Sequence, residues 1–170
     1  MKIRHLESAD FEFVSAVVDE WWGSRSVAGL LPRLFFEHFR PTSFVLEEHG
    51  ALQGFLVGFR SQSFPTVAYI HFVGVSPLLR GRGYGRMLYD RFCEVADGLG
   101  CDEVRCITSP INTGSVAFHQ RMGFEILPGD GAIGGISVSL NHAGAGQHRV
   151  LFCKKLLESA APAFPSQHSV

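Results

Sequence analysis

The chain has 170 residues, of which 46% are hydrophobic and 18% are charged, and its net charge is −1. This length suits one domain with a real core and is short for two. The composition excludes a largely disordered chain. The near-neutral charge gives no general attraction to nucleic acid or to an anionic membrane, so neither is expected as a partner.

Targeting and metal-binding signals are missing from the sequence. No apolar run reaches the roughly 18 residues of a membrane span, and Glu7 and Asp10 interrupt the N-terminus before a signal peptide can form. The cysteines form neither a C-x-x-C pair nor a metal-ligand spacing; they are Cys93, Cys101, Cys106 and Cys153. We therefore expect a cytoplasmic protein with reduced, mostly buried thiols and no bound metal.

Two helices are predicted near the N-terminus, after a short strand at Lys2–His5. Apolar residues recur at helical spacing up to about Trp22, and Ser8 or Asp10 is placed to cap that helix. A second short helix is predicted over Leu30–Phe39, with Pro32 in its first turn, where the missing N–H costs little.

Strands follow these helices. An antiparallel hairpin is predicted from Ser43–Glu47 and Leu52–Arg60, with a turn around His49–Gly50. After a short loop, Val67–Val75 is rich in β-branched and aromatic residues and is predicted as a further strand.

The second half of the chain alternates helices and strands. A long helix is predicted from about Gly83 to Leu99, because apolar residues form a one-sided stripe at Tyr84, Leu88, Phe92, Val95 and Leu99. The remaining elements are a strand at Glu103–Thr108, a helix at Asn112–Met122, a strand starting at Phe124–Leu127 and a closing strand at His148–Leu157.

Two segments carry no predicted element. Pro128–Gly146 is rich in glycine and is predicted as a loop, and residues 158–170 as a flexible tail. The order of elements predicts a single α+β domain over residues 1–157, built on a mixed sheet.

The segment Arg80-Gly81-Arg82-Gly83-Tyr84-Gly85-Arg86 leaves a predicted strand and opens a predicted helix. Glycine at every second position lets the backbone approach a ligand closely. The helix N-terminus adds unpaired N–H groups and a positive dipole end, and the arginines add donors for phosphate oxygens. The segment therefore predicts an anion site suited to a diphosphate. It is neither a Rossmann fingerprint nor a P-loop, because Arg86 replaces the third glycine and no Gly-Lys-Ser/Thr follows.

Two motifs resemble those of the GCN5-related N-acetyltransferases (GNAT). Arg80, Gly83 and Gly85 match that family's acetyl-CoA loop, Arg/Gln-x-x-Gly-x-Gly/Ala. Downstream, Asn112-x-x-Ser115-x-x-Phe118-x-x-x-x-Gly123-Phe124 resembles its second motif, and the likeness is close over about 67–127. It implies a mostly antiparallel twisted sheet of six or seven strands, flanked by about four helices, with a splayed parallel strand pair.

The resemblance implies acetyl-CoA as cosubstrate. The backbones of Val73 and Val75 would bind its pantetheine arm as an added strand would. The side-chain amide of Asn112 would also contact that arm, while capping its own helix, and Ser115 would face the cosubstrate. The pyrophosphate would lie on the loop formed by Arg80, Gly81, Arg82, Gly83, Tyr84, Gly85 and Arg86.

The acid of the reaction departs from the family pattern. Members commonly carry a tyrosine that protonates the leaving thiolate, and His119 stands at that position here. An imidazolium with a pKa near ~6.5 is able to protonate a thiolate whose thiol has a pKa near ~8.5. His119 is therefore the candidate acid; the alternative is a helix histidine packed beside the cosubstrate with no proton role.

The candidate base lies on the strand before the loop. Tyr69 and His71 are two residues apart and project to one face, and some arylalkylamine members of the family carry two histidines there. His71 is the preferred base, with a satisfied core histidine as the alternative. Glu47 and Glu48 on the hairpin are the other candidates.

These residues imply direct transfer of an acetyl group from the thioester to a primary amine of a small molecule or peptide, with no covalent enzyme intermediate. The N–H of Val73 would polarise the thioester carbonyl. One alternative is a non-catalytic acyl-CoA-binding sensor on the same fold, and another is an RNA-binding module, which the net charge opposes.

The acceptor amine is not identified by any motif. It is expected to lie against the first two helices and the loops at 23–29 and 128–146. The aromatic residues of those helices either line an apolar pocket or belong to the core; they are Trp21, Trp22, Phe35 and Phe36. Monomer and homodimer are both open.

Overall fold

A computed structural model describes residues 1–23 and 25–156. The predicted tail at 158–170 lies outside the described residues. The elements are β1 (Lys2–His5), α1 (Asp10–Trp21), α2 (Leu34–His38), β2 (Phe44–Glu48), β3 (Ala51–Arg60), β4 (Val67–Val75), α3 (Tyr84–Gly98), β5 (Glu103–Thr108), α4 (Thr113–Arg121), β6 (Glu125–Ile126), β7 (Gly131–Ile133), β8 (Ile136–Val138) and β9 (Val150–Lys155).

Seven strands form one sheet in the order β1-β2-β3-β4-β5-β9-β6. Neighbouring strands are antiparallel, apart from the parallel pair β4–β5. The predicted α+β fold with a mostly antiparallel sheet and one parallel pair is confirmed.

Each face of the sheet carries its own core. Leu88 and Phe92 of α3 pack with Leu56 and Ile70 on one face. Val14 and Val18 of α1 pack on the other face, in a second cluster that includes Phe36 of α2. The helices α3 and α4 therefore lie on one side of the sheet, and α1 and α2 on the other.

A β-bulge interrupts β4 at His71. Val57 of β3 pairs with Phe72 and the next residue, Gly58, pairs with Ile70, so His71 has no partner of its own. Two residues opposite one is the defining feature of a bulge. Because of it, Ile70 and Val73 both face the α3/α4 core, while Phe72 packs with Trp22 on the other side, with ring centroids 4.7 Å apart.

The second helix is shorter than predicted. The segment predicted over Leu30–Phe39 is divided into a 3-10 turn at Ala28–Leu30, the five-residue α2 and a second 3-10 turn at Arg40–Thr42. Leu31 breaks the helix with φ −122° and ψ 61°, because the residue before a proline is disfavoured in the helical region.

The prediction that the side chain of Ser8 or Asp10 caps α1 is wrong. Ala9 occupies the capping position, and no side chain caps the helix. Ser8 instead donates to the carbonyl oxygen of Phe36 at 3.1 Å. Asp10 accepts from the N–H of Glu7 at 2.8 Å and pairs with Arg4 at 2.8 Å, so it joins α1 to β1.

The predicted loop at Pro128–Gly146 contains a hairpin, β7–β8. Its turn is Gly134–Gly135, with φ values of 57° and 79°. Two consecutive left-handed residues form the tight turn that suits the twist of a hairpin. Each strand has three residues, which is too short for a period-two pattern to be visible in the sequence.

The buried face of α3 differs from the predicted stripe. Its buried residues are Leu88, Tyr89, Phe92 and Ala96, whereas Leu99 lies beyond the helix and is 42% exposed. Tyr89 belongs to the buried face because α4 covers that side of α3, where the Tyr89 and Phe118 rings meet with centroids 5.2 Å apart.

Candidate active site

The parallel strands β4 and β5 separate halfway along their length. They pair only at Val67–Glu103, Ala68–Val104 and Tyr69–Arg105. Beyond these pairs β4 continues to Val75 and β5 to Thr108. The upper part of β4 therefore has one open edge.

Peptide groups of β4 point into that opening. The N–H of Ser76 donates to the carbonyl of Gln53 on β3 at 2.9 Å. Peptide groups alternate between the two edges of a strand, so Phe72 and Gly74 also bond β3. The N–H and C=O groups of Val73 and Val75 consequently face the open edge.

The glycine loop continues from this edge to α3. Gly81 and Gly83 have φ values of 76° and 86°, and no acidic residue lies in the first turn of α3. Among the described residues, none accepts a hydrogen bond from the six N–H groups of Gly81 to Arg86. Arg82 and Arg86 are exposed beside them. Free donors and a positive helix end are the features that bind a phosphate.

Arg80 holds the loop in place through its side chain. Its Nε donates to the carbonyl of Val75 at 3.3 Å, and its Nη2 donates to the carbonyl of Trp21. These bonds tie the start of the loop to the end of β4 and the end of α1, so the guanidinium is engaged by the protein itself.

Asn112 and Ser115 open α4. The Oδ1 atom of Asn112 accepts from the N–H of Ser115 at 3.3 Å, which makes Asn112 the N-cap of α4. Its NH2 group donates to no side chain or backbone group in the described part of the chain. The cap uses the oxygen alone and leaves both amide N–H donors for another partner.

His119 is enclosed between α3, α4 and β9. It is 5% exposed, and its ring stacks on Phe152 with centroids 4.7 Å apart. Nδ1 lies 2.7 Å from the carbonyl oxygen of Ser115, and Nε2 lies 2.8 Å from the hydroxyl of Tyr89.

These contacts define the state of the ring. A carbonyl only accepts, so Nδ1 carries the proton and donates to Ser115. Burial lowers the pKa of His119, which favours the neutral ring, and Nε2 then accepts from the Tyr89 hydroxyl. Burial also raises the pKa of Tyr89 well above its usual value. Both ring nitrogens therefore have partners inside the domain.

The sequence does not single out Tyr89, because this residue lies outside the apolar stripe predicted for α3. Tyr89, Phe92, Cys93 and Ala96 follow the spacing i, i+3, i+4, i+7. That alternative stripe is the signal that points to a second buried face.

His71 and Tyr69 project to the face of the sheet that carries α1 and α2. The Nε2 atom of His71 lies 2.7 Å from the carbonyl of Leu30, and its ring stacks on Phe35 with centroids 4.4 Å apart. Nε2 therefore donates to this carbonyl, because a carbonyl oxygen only accepts. Nδ1 has no partner among the residues described, so it is the nitrogen able to accept a proton.

The remaining sequence candidates lie elsewhere. Glu47 of β2 forms an ion pair with Arg4 of β1 at 2.8 Å. The strand β2 is separated from β4 by β3. The four aromatic residues of the first helices belong to the core. Trp21 and Phe36 are buried, and Trp22 and Phe35 pack against the same cluster.

No helix within 1–23 and 25–156 combines the length and apolarity that a membrane crossing requires.

Comparison with known proteins agrees with this geometry. The Acetyltransferase (GNAT) family matches residues 2–124. A curated relative, L-2,4-diaminobutyric acid acetyltransferase from Nocardia farcinica (strain IFM 10152), is 31% identical over 89 residues, which are 52% of this chain and 46% of that protein. The chain thus aligns with about half the length of this relative.

Solved structures share the fold. Ard1 from Thermoplasma volcanium superposes with a TM-score of 0.74 at 22% identity, over 92% of this chain and 98% of that one. The yncA protein from Salmonella typhimurium, solved with its cofactor acetyl-CoA, gives 0.67 at 22% identity over 95% and 97%. Naa20 from Chaetomium thermophilum, in complex with a bisubstrate analogue, gives 0.72 at 19% identity over 93% and 88%. With a family match over most of its length and this shared fold, the chain belongs to the GNAT acetyltransferase family.

Proposed function

We propose that the protein is an acetyl-CoA-dependent N-acetyltransferase that moves the acetyl group directly to a primary amine. The observation that carries the proposal is that two groups of free backbone donors follow each other along the chain. The first is at the open edge of β4, at Val73 and Val75, and the second is the six N–H groups of Gly81 to Arg86. A pantetheine arm and a diphosphate present acceptors in the same order.

In this proposal the chain's own groups hold and polarise the thioester. Its carbonyl accepts from the N–H of Val73, and the amide N–H donors of Asn112 bind the pantetheine arm. The amine enters from the α1/α2 face, and His71 takes a proton through Nδ1. The amine nitrogen then attacks the thioester carbon, and the C–S bond breaks to release CoA. Holding both reactants at one gap in the sheet supplies the orientation that the reaction needs.

In this proposal His119 protonates the leaving thiolate, and the hydrogen bonds of its ring limit how it does so. The Nδ1–H donor already binds Ser115, and Nε2 is occupied by Tyr89. A role for His119 as acid therefore requires the neutral ring to take up a second proton and to exchange one of these partners for the thiolate, to which the imidazolium then returns that proton. The same observation favours the second candidate, a binding protein that holds acyl-CoA without turnover.

Release of free thiol from acetyl-CoA in the presence of a broad amine panel tests both functions. We expect turnover with at least one amine, and a slower maximal rate in His119→Ala with KM for acetyl-CoA unchanged. Turnover that His119→Ala leaves unaltered from pH 6 to 9 would remove the acid role and keep the enzyme. Calorimetric binding of acetyl-CoA without any turnover would favour the sensor.

A further inference from the structure

An apolar cavity of about 310 Å³ opens on the α1/α2 face of the sheet, beside the point where β4 and β5 separate. Its floor includes Tyr69 of β4, Ile107 of β5 and Leu151 of β9. Its walls include Phe59, Phe64 and His142. Tyr69 belongs to the last residue pair before the strands part, so the cavity ends at the gap where the thioester is placed.

The cavity and the candidate acid share one residue. Phe152 of β9 is among the residues that line the cavity. Its ring belongs to the core on the α3/α4 face, where it stacks on His119 with ring centroids 4.7 Å apart. The thickness of one sheet therefore separates the cavity from the α3/α4 side. A molecule in the cavity and a thioester at the open edge of β4 would approach each other through the gap.

We propose that this cavity binds the acceptor, and that the acceptor is a small monoamine with an aromatic or branched aliphatic body. This inference rests on the proposed acetyltransferase function. It rests equally on the size, lining and charge of the cavity.

Size limits the body of the acceptor. A water molecule occupies about 30 Å³ of liquid, so a 310 Å³ cavity holds on the order of ten non-hydrogen atoms. That is the size of an arylethylamine. An extended peptide needs a longer groove.

Charge opposes polycationic acceptors. No carboxylate is among the residues that line the cavity. The charged group in its wall is Arg105, which is bound to Glu103 and lies with its guanidinium carbon 6.0 Å from the centroid of the Phe64 ring. A polyamine or aminoglycoside would bring several positive charges into a site that offers no compensating anion.

The Tyr69 hydroxyl is the polar group placed to receive the amine. Within the described part of the chain it makes no hydrogen bond. Burial raises the pKa of Tyr69 to about 12, so the hydroxyl stays protonated and accepts from an amine N–H through its oxygen. Tyr69 and His71 share one face of β4, which places the amine near the candidate base and the body in the cavity.

The first test compares kcat/KM for four acceptors: 2-phenylethylamine, 2,4-diaminobutyrate, spermidine and a tetrapeptide with a free N-terminus. We expect 2-phenylethylamine to exceed each of the others by at least about tenfold. Preference for any of the other three overturns the inference, while turnover itself still upholds the proposed function.

Substitutions in the cavity lining test whether the acceptor binds there. Phe64 is 60% exposed in a loop, so Phe64→Ala is expected to fold. It should lower kcat/KM for 2-phenylethylamine by about tenfold, the scale of a lost apolar contact, with KM for acetyl-CoA unchanged. Tyr69→Phe should raise KM for the amine. The matched control is Phe13→Ala on α1, where the ring is 43% exposed, and its kcat/KM should equal that of wild type.

Binding separates the two ways in which the inference fails. If no amine is turned over, the proposed function falls, and the cavity is tested by titrating 2-phenylethylamine into the protein with CoA present. Saturable binding that Phe64→Ala weakens upholds the cavity assignment. Lack of binding, or binding equal in wild type and Phe64→Ala, overturns it.

Discussion

The Tyr89 hydroxyl donates to Nε2 of His119 across 2.8 Å, and this bond joins α3 to α4 where neither side chain reaches solvent. The bond holds the His119 ring in one tautomer, because the other nitrogen donates to Ser115. It links α3, which begins within the glycine loop at residues 80–86, to α4, which Asn112 caps.

Removing both partners of this bond is expected to cost less than the sum of removing each one alone. Tyr89→Phe leaves Nε2 of His119 buried without a donor, at a cost of about 1–3 kcal/mol in the free energy of unfolding. The double variant Tyr89→Phe/His119→Leu should lose less than the sum of the two single variants. Urea denaturation of all four proteins measures the coupling energy, and additivity would show that the bond contributes nothing.

The pH dependence of stability should carry the signature of a buried neutral histidine. Burial lowers the pKa of His119 in the folded protein, while the unfolded chain binds the proton near pH ~6.5. Stability from this group is therefore complete above about pH 6.5 and is lost as pH falls below it, by up to about 1.4 kcal/mol per pH unit. His119→Leu should show a shallower decline between pH 6.5 and 5 in thermal unfolding. Parallel curves would contradict the prediction.

The left-handed Gly83 of the glycine loop is expected to control the affinity for acetyl-CoA. Gly83 has φ 86°, and a Cβ there would contact nothing within 4 Å, so Gly83→Ala acts through the backbone alone. Strain of about 1–2 kcal/mol should move the loop and raise KM for acetyl-CoA by about tenfold. Gly100→Ala is the matched control, since Gly100 has φ 77° and open space at the far end of α3. It should lower stability similarly and leave that KM unchanged.

Close packing at Gly74 should make this position intolerant of any side chain. A Cβ there would lie 2.7 Å from the Phe55 ring and 2.8 Å from the Trp22 ring. Gly74→Ala is expected to cost about 1–3 kcal/mol in unfolding free energy, as overpacking of a core does. Gly98→Ala, with open space around its Cβ, should stay within about 0.5 kcal/mol of wild type. Equal stabilities would show that the rings move aside freely.

The sequence predicted the features that depend on local pattern. The stripe through Leu88 and Phe92 predicted α3, and the helix begins at Tyr84 within the segment of alternating glycine and arginine. Anion binding by that segment stays a prediction. Asn112 was expected at the start of α4 and is its cap. Each of these depends on neighbours within a few residues, so they are visible without the tertiary fold.

Features that depend on distant partners were not predictable in this way. The bulge at His71 exists only relative to β3, and the Tyr89 contact joins residues thirty positions apart. The hairpin β7–β8 has strands too short to show a period. Phe64 and His142 reach one cavity from loops far apart in the chain, and no sequence pattern relates them.

The bulge at His71 takes up one residue without changing the register on either side of it, because Ile70 and Phe72 pair with the successive residues Gly58 and Val57. Loss of His71 alone would therefore leave Val73 and Val75 at the open edge. Loss of one residue between Phe72 and Val75 would shift the register by one, so that side chains beyond it exchange faces and peptide groups exchange edges. Replacing a side chain leaves the register intact, so insertions and deletions beyond the bulge are the changes that this strand tolerates least.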